Sequence, residues 1–190
     1  MINQKYKKSR HEEILESATE LLSLRPTATL QEIADYANIG IATLHRHFSS
    51  REALLNELAI NAIHLVENAL QDMSFQPEEM EKTLEELFLR LIPLGDKIYF
   101  LAYAASVDEN PRVSESEAQL KKPLADAIEN WTQAGLLNPS IPVQWMVTVI
   151  YNLLFGIWQE IHSGNLAKND AARLLLTTVL QGFQPAHLQP

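Results

Sequence analysis

Residues Thr29 to Leu55, TLQEIADYANIGIATLHRHFSSREALL, constrain this chain more than any other stretch. Leu30, Ile33, Ala34 and Ala37 recur at helical spacing, so a first short helix has one apolar face. Asn38-Ile39-Gly40 breaks it, because Asn and Gly tolerate the left-handed backbone that ends helices. A second helix follows from Gly40 to His47. At about 100° per residue, Ile41, Leu44 and Phe48 share one side of it. Ala42, Thr43, His45 and Arg46 share the other, which carries small, hydrogen-bonding and cationic groups and no carboxylate. Such a face suits a major groove lined by acceptors and thymine methyls. Two helices joined by a short Gly-containing turn are a helix-turn-helix.

The run Ala37 to Phe48, ANIGIATLHRHF, followed by Ser50-Arg51-Glu52-Ala53-Leu54-Leu55, resembles the signature of the tetracycline-repressor (TetR) family of transcription regulators. That signature reads roughly A-G-V-S-x-G-T-L-Y-x-H-F, then a short turn and E-A-L. Thr-Leu-x-x-His-Phe and Arg-Glu-Ala-Leu-Leu match it; Asn38, Gly40, Ala42 and His45 depart from it. The departure at Gly40 removes a side-chain helix cap. The resemblance covers the first quarter of the chain, and beyond it only length and an all-helical pattern agree. It implies that Thr43 and Arg46 touch base edges, Ala42 a thymine methyl, and His45 a base or phosphate. It places His47 and Arg51 on phosphates and has Thr29 cap its helix while offering its hydroxyl or N–H to a phosphate.

A net charge of −9 over 190 residues looks wrong for a DNA binder until it is divided. Residues 1–51 carry +1 and residues 52–190 carry −10. Lys5, Lys7, Lys8 and Arg10 form a short basic arm, an electrostatic footprint for phosphate beside a recognition helix, with Lys7 and Lys8 as its contacts. The absence of cysteine excludes disulfides and thiolate metal sites, and fits a cytoplasmic protein. The charged start lacks an apolar signal core, and the most apolar stretch, Trp145 to Trp158, is too short to span a membrane.

The rest of the chain reads as all-α. Ile14, Leu15, Ala18, Leu21 and Leu22 stripe a helix from Ser9 to Leu24, completing a three-helix unit over residues 1–50. Ser49-Ser50 caps a long helix from Arg51 to Met73, which leads without a linker into a helical ligand-binding and dimerisation domain over residues 51–190. Further helices are expected from Glu78 to Leu91 and from Asp96 to Ser106. A loop follows at Val107 to Pro111, then a short helix near Arg112 to Gln119 and another from Pro123 to Ala134. The helix from Pro142 to His162 is apolar all round and needs cover on every side. With Lys168–Phe183 it is expected to form a four-helix interface in a homodimer, through Leu153, Ile157, Leu174, Leu175 and Val179.

No catalytic or cofactor motif is present, and no metal or cofactor site is expected: His45 and His47 do not converge on a helix, and there is no H-E-x-x-H, P-loop or G-x-S-x-G. A pocket for an unknown small-molecule effector is implied mainly by the resemblance. Its candidate lining is the polar seam Asn61, His64 and Asn68 with Tyr99, Phe100, Tyr103, Trp131, Trp145, Tyr151, Asn152 and Phe155. The expected function is a ligand-responsive transcriptional regulator, a repressor released from a palindromic double-stranded operator. A dimer matches successive major grooves only with its recognition helices about 34–36 Å apart, a spacing a ligand can change. The alternative is a helix-turn-helix protein without a small-molecule ligand, controlled by a partner or acting structurally.

Overall fold

The structure, a computed structural model, describes residues 9–75, 77–98 and 111–185. Helices α1 (Arg10–Leu24), α2 (Leu30–Tyr36) and α3 (Ile41–His47) form a head, and α4 (Arg51–Leu70) leads out of it. Helices α5 (Met80–Leu91), α6 (Pro111–Gln133), α7 (Val143–His162) and α8 (Lys168–Phe183) form a body. Short 3-10 turns at Pro77–Glu79 and Ile92–Leu94 flank α5. Every regular element among the described residues is helical.

Local chemistry sets the head's helix starts. Ser9 accepts a hydrogen bond from the Glu12 N–H at 3.2 Å, and the Glu12 carboxylate accepts one from the Ser9 N–H at 2.7 Å. Thr29 and Glu32 repeat this reciprocal capping box at the same distances. Ser50 caps α4 by accepting from the Ala53 N–H at 3.0 Å. Between α2 and α3, Asn38 alone takes the left-handed conformation, at φ 54°. Gly40 is extended and gives α3 no side-chain cap.

Two apolar clusters hold the molecule. The head's contains Ile14, Leu22, Ile33, Leu44 and Phe48, and it draws Leu54, Leu55 and Leu58 from α4. The body's begins one residue later, with Ala59, Ala62, Ile63 and Val66 of the same helix. It continues through Leu87, Phe88, Trp131, Met146, Leu154 and Leu175. One unbroken helix is therefore shared by two cores, and the change falls between Leu58 and Ala59. Each fully buried leucine contributes about 1.5–3 kcal/mol, so Leu54 and Leu58 tie α4 to the head firmly.

The body departs from the expected helix pattern. The two helices expected on either side of Gln119–Pro123 are one 23-residue helix, and Pro123 lies inside it. Proline lacks the N–H that would reach the carbonyl four residues back, a loss of about 3 kcal/mol. Burial outweighs it, because Val113, Leu120, Leu124, Ile128 and Trp131 all enter the body core. Lys122 also bridges to Asp126 at 2.6 Å, spanning the proline. Helix α4 ends at Leu70 and not at Met73. The Arg90 guanidinium donates to the Ala69 carbonyl at 2.9 Å, satisfying one of the terminal acceptors there. Most of the helix expected from Asp96 to Ser106 lies outside the described residues. No described helix is long and apolar enough to cross a membrane.

Candidate nucleic-acid interface

Helix α3 buries Leu44, with Phe48 just after it, and turns its other side outward. Ala42, His45 and Arg46 are exposed and Thr43 is half-buried. An Arg46 Nη2 donates to the Thr43 hydroxyl at 2.8 Å, so the two polar side chains form one unit across a helical turn. This bond restricts a long flexible cation before any partner arrives. The last turn of α3 carries His45, Arg46 and His47, and its first turn holds no acid.

The other expected DNA-contact residues are arranged differently. His47 is half-buried, its ring 5.6 Å from that of His11 and 6.3 Å from that of Phe48. His11 stacks on Phe48 at 4.9 Å, and its Nε2 meets the Glu57 carboxylate at 2.7 Å, bridging α1 to α4. No local signal could have singled out His11, since its partners are set by the folded head. Thr29 directs both its N–H and its hydroxyl to the Glu32 carboxylate, at 2.7 and 3.0 Å. That carboxylate also pairs with Arg25. Both donors expected to meet phosphate are thus engaged, because the capping box that starts α2 uses them. Arg51 is engaged too. Its guanidinium donates to the Pro26 carbonyl at 2.7 Å and to the Ala28 carbonyl, pinning the α1–α2 turn onto the start of α4. Lys7 and Lys8 lie outside the described residues.

Behind the head, the expected pocket residues do not converge. Asn61 lines a cleft of about 590 Å³ between α1, α4 and α7. His64 is exposed beside Glu67 at 3.3 Å, and Asn68 is exposed as well. A seam belongs to one helix, whereas a cavity needs a facing element, and only the Asn61 end has α1 opposite it. Tyr151 lines a separate cavity of about 330 Å³ with Leu70, Met73, Phe75, Leu87 and Leu124. Burial pushes its hydroxyl well above the usual tyrosine range, and the Glu117 charge pushes the same way. Trp131 is fully buried in the body core, and its indole N–H has no partner among the described residues. Trp145 is 59% exposed. Asn152 is exposed and donates back to the Thr148 carbonyl at 2.8 Å. Phe155 is half-buried and stacks on Trp158 at 5.9 Å. Tyr99, Phe100 and Tyr103 lie outside the described residues.

The expected dimer residues divide in the same way. Leu153, Ile157 and Leu174 line a groove of about 420 Å³ between α7 and α8, with Gly156 and Thr178 beside them. Leu174 is 48% exposed. Leu175 borders the floor of this groove, but it and Val179 are buried in the body core. The stripe Ala171, Leu175 and Val179 is the one that faces inward, and Leu174 lies one helical step away from it. Among the described residues no group of three or more His, Asp or Glu side chains is placed to hold a metal.

Residues 14–58 match the family model described as bacterial regulatory proteins, tetR family. The HTH-type transcriptional repressor LfrR of Mycolicibacterium smegmatis is 24% identical over 170 residues, covering 90% of this chain and 88% of the relative. The HTH-type transcriptional regulator NfxB of Pseudomonas aeruginosa is 23% identical over 176 residues, covering 92% and 94%. The crystal structure of LfrR in complex with proflavine superposes with a TM-score of 0.74 at 21% identity, covering 92% of this chain and 96% of that one. That of AibR in complex with isovaleryl coenzyme A and operator DNA gives 0.68 at 19% identity, covering 93% and 99%.

Proposed function

We propose that this chain, a DNA-binding transcriptional regulator of the TetR family, is a homodimeric cytoplasmic repressor that a small molecule releases from a palindromic operator. The DNA-binding domain is residues 1–50, and the ligand-binding and dimerisation domain is residues 51–190. Ala42, Thr43, His45 and Arg46 read the major groove. His47, Lys7 and Lys8 meet phosphate, while Thr29 and Arg51 keep the head in shape through the bonds they already make. The open apolar face of α7 and α8, around Leu153, Ile157 and Leu174, pairs with its copy in a second chain.

The observation that carries the switching part of this reading is α4, one helix with residues in both cores. A change of packing around Ala62 or Val66 turns the segment that holds Leu54 and Leu58, and with it the head. In a dimer that alters the spacing of two recognition helices. The complexes of LfrR with proflavine and of AibR with isovaleryl coenzyme A and operator DNA support a small-molecule effector here.

The test starts with duplexes selected from a random library by the full-length protein. Compounds that shift its thermal transition are then titrated with and without the selected duplex. Ligand and operator must weaken each other by the same factor. Equal ligand affinity in both titrations rejects the switch and favours a plain DNA binder.

A further inference from the structure

We infer that Arg46 reads a guanine in the operator, and that Thr43 is the positioning residue that makes this reading selective; both halves rest on the proposal that α3 enters the major groove. Residues 1–51 contain four arginines, and three of them are held by strong acceptors. Arg10 pairs with Glu13 at 2.9 Å, and Arg25 pairs with Glu32. Arg51 donates to the carbonyls of Pro26 and Ala28. Arg46 meets no carboxylate or carbonyl among the described residues, and its bond goes to the neutral Thr43 hydroxyl at 2.8 Å.

That bond follows from where Thr43 lies. Thr19, Thr132, Thr148, Thr177 and Thr178 sit deeper in their helices, and each hydroxyl donates to the carbonyl four residues back at 2.8–2.9 Å. Thr43 is the third residue of α3, and the carbonyl four residues before it belongs to Ile39, outside the helix. Its hydroxyl is left to accept from Arg46, its neighbour one turn on.

The guanidinium keeps what recognition needs. Of its five N–H donors, one on Nη2 is spent on Thr43. Nη2 carries two hydrogens, one on the edge shared with Nε and one on the edge shared with Nη1. Whichever of them Thr43 receives, the other edge retains two parallel donors. Such an edge fits two acceptors side by side. In the major groove guanine alone presents them, as O6 and N7; adenine sets a donor beside its acceptor, thymine a methyl, and cytosine shows a donor. Thr43 also draws the guanidinium back toward the start of α3, and the early residues of a recognition helix are the ones that reach base edges. A free arginine loses rotamer freedom when a base orders it. Here the ordering is made in the free protein, which fixes one geometry and so favours one base.

The test uses duplexes selected from a random library by the full-length protein. Each guanine of the selected half-site is replaced singly by 7-deazaguanine, which pairs with cytosine but lacks the N7 acceptor. At one guanine per half-site the wild type is expected to lose about tenfold in affinity, and Arg46→Ala should be indifferent to the same replacement. Thr43→Val keeps bulk and methyl but not the hydroxyl, and should reduce the discrimination to about threefold or less. Thr43→Ser keeps the hydroxyl and should retain it in full. In an Arg46→Ala background, Thr43→Val should change nothing further at that guanine. Circular dichroism of each variant gives the folded fraction used in the titrations.

A selected site without such a guanine, or one whose replacement Arg46→Ala still feels, overturns the assignment of Arg46 and leaves α3 as a groove reader. A loss in Arg46→Ala that is equal for every duplex makes Arg46 a phosphate contact and overturns it likewise. Full discrimination in Thr43→Val, or its loss in Thr43→Ser, overturns the positioning role of the hydroxyl. Failure to select any duplex removes both this inference and the reading on which it rests.

Discussion

The head and the body are both helical, yet they begin their helices by different means. In the head, α1 and α2 start in capping boxes and α4 in a serine cap, while α3 starts at Gly40 without a side-chain cap. In the body, α5, α7 and α8 have no side-chain cap bond. The body starts α7 at a proline and carries a second proline through the middle of α6. The head has the smaller apolar core, and the starts of α1, α2 and α4 are specified by hydrogen bonds reaching three residues. The body buries enough apolar surface to override poor local signals. Helix α4 belongs to both regimes: a capped start in one core and an apolar stripe in the other.

The largest expected effect sharpens this contrast at neighbouring positions of α8. Leu175→Asp should cost at least the roughly 2–5 kcal/mol of a buried leucine truncation and abolish a cooperative thermal transition. Leu174→Asp should leave the fold intact and, in sedimentation, convert dimer to monomer. If the two variants melt alike, packing does not govern the body as argued.

Arg51 offers a way to break the head alone. Arg51→Met removes two bonds to backbone carbonyls, each worth about 1.5–3 kcal/mol for a charged donor. Trp131, Trp145 and Trp158 all lie in the body. Helix loss followed by circular dichroism should therefore precede the change in tryptophan fluorescence. Coincident transitions would mean that head and body unfold as one unit.

Arg46→Ala should leave both transitions where they are and cost about 1–3 kcal/mol of binding to the selected duplex, with relaxed specificity. Wild-type affinity and selectivity in this variant would remove α3 from the interface.

The smallest effect concerns the cap of α2. The Glu32 carboxyl lies below its usual range, first because the Thr29 N–H and then because the Thr29 hydroxyl hydrogen-bond its ionised form. A folded-state pKa below the unfolded one stabilises above the ordinary carboxylate range, and this stabilisation is lost as pH falls through the folded value. The stability gap between wild type and Glu32→Gln should thus be present at neutral pH and close in acid, as read by chemical denaturation at each pH. A gap that persists in acid would separate the residue's effect from its charge.

Much of the head was legible in the sequence because its signals act within one turn of chain. The period of Ile14, Leu15, Ala18 and Leu22, the break at Asn38 and the acid-free face of α3 all lie in a few contiguous residues. The spacing of apolar residues by itself also determined that the chain is all-α and that α7 and α8 are helices. Only the tertiary structure decided what each face meets. Pro123 stays helical because Leu120 and Leu124 on either side of it are buried by distant helices. Leu175 faces the core and Leu174 does not, although a stripe of leucines contains both. Asn61 faces a cleft and Asn68 does not, because α1 lies opposite only the first of them. Arg51 is tied to Pro26 and Ala28, more than twenty residues away in the chain. Periodicity records the phase of a helix. Its neighbours, and with them the cleft, come from how helices remote in sequence pack.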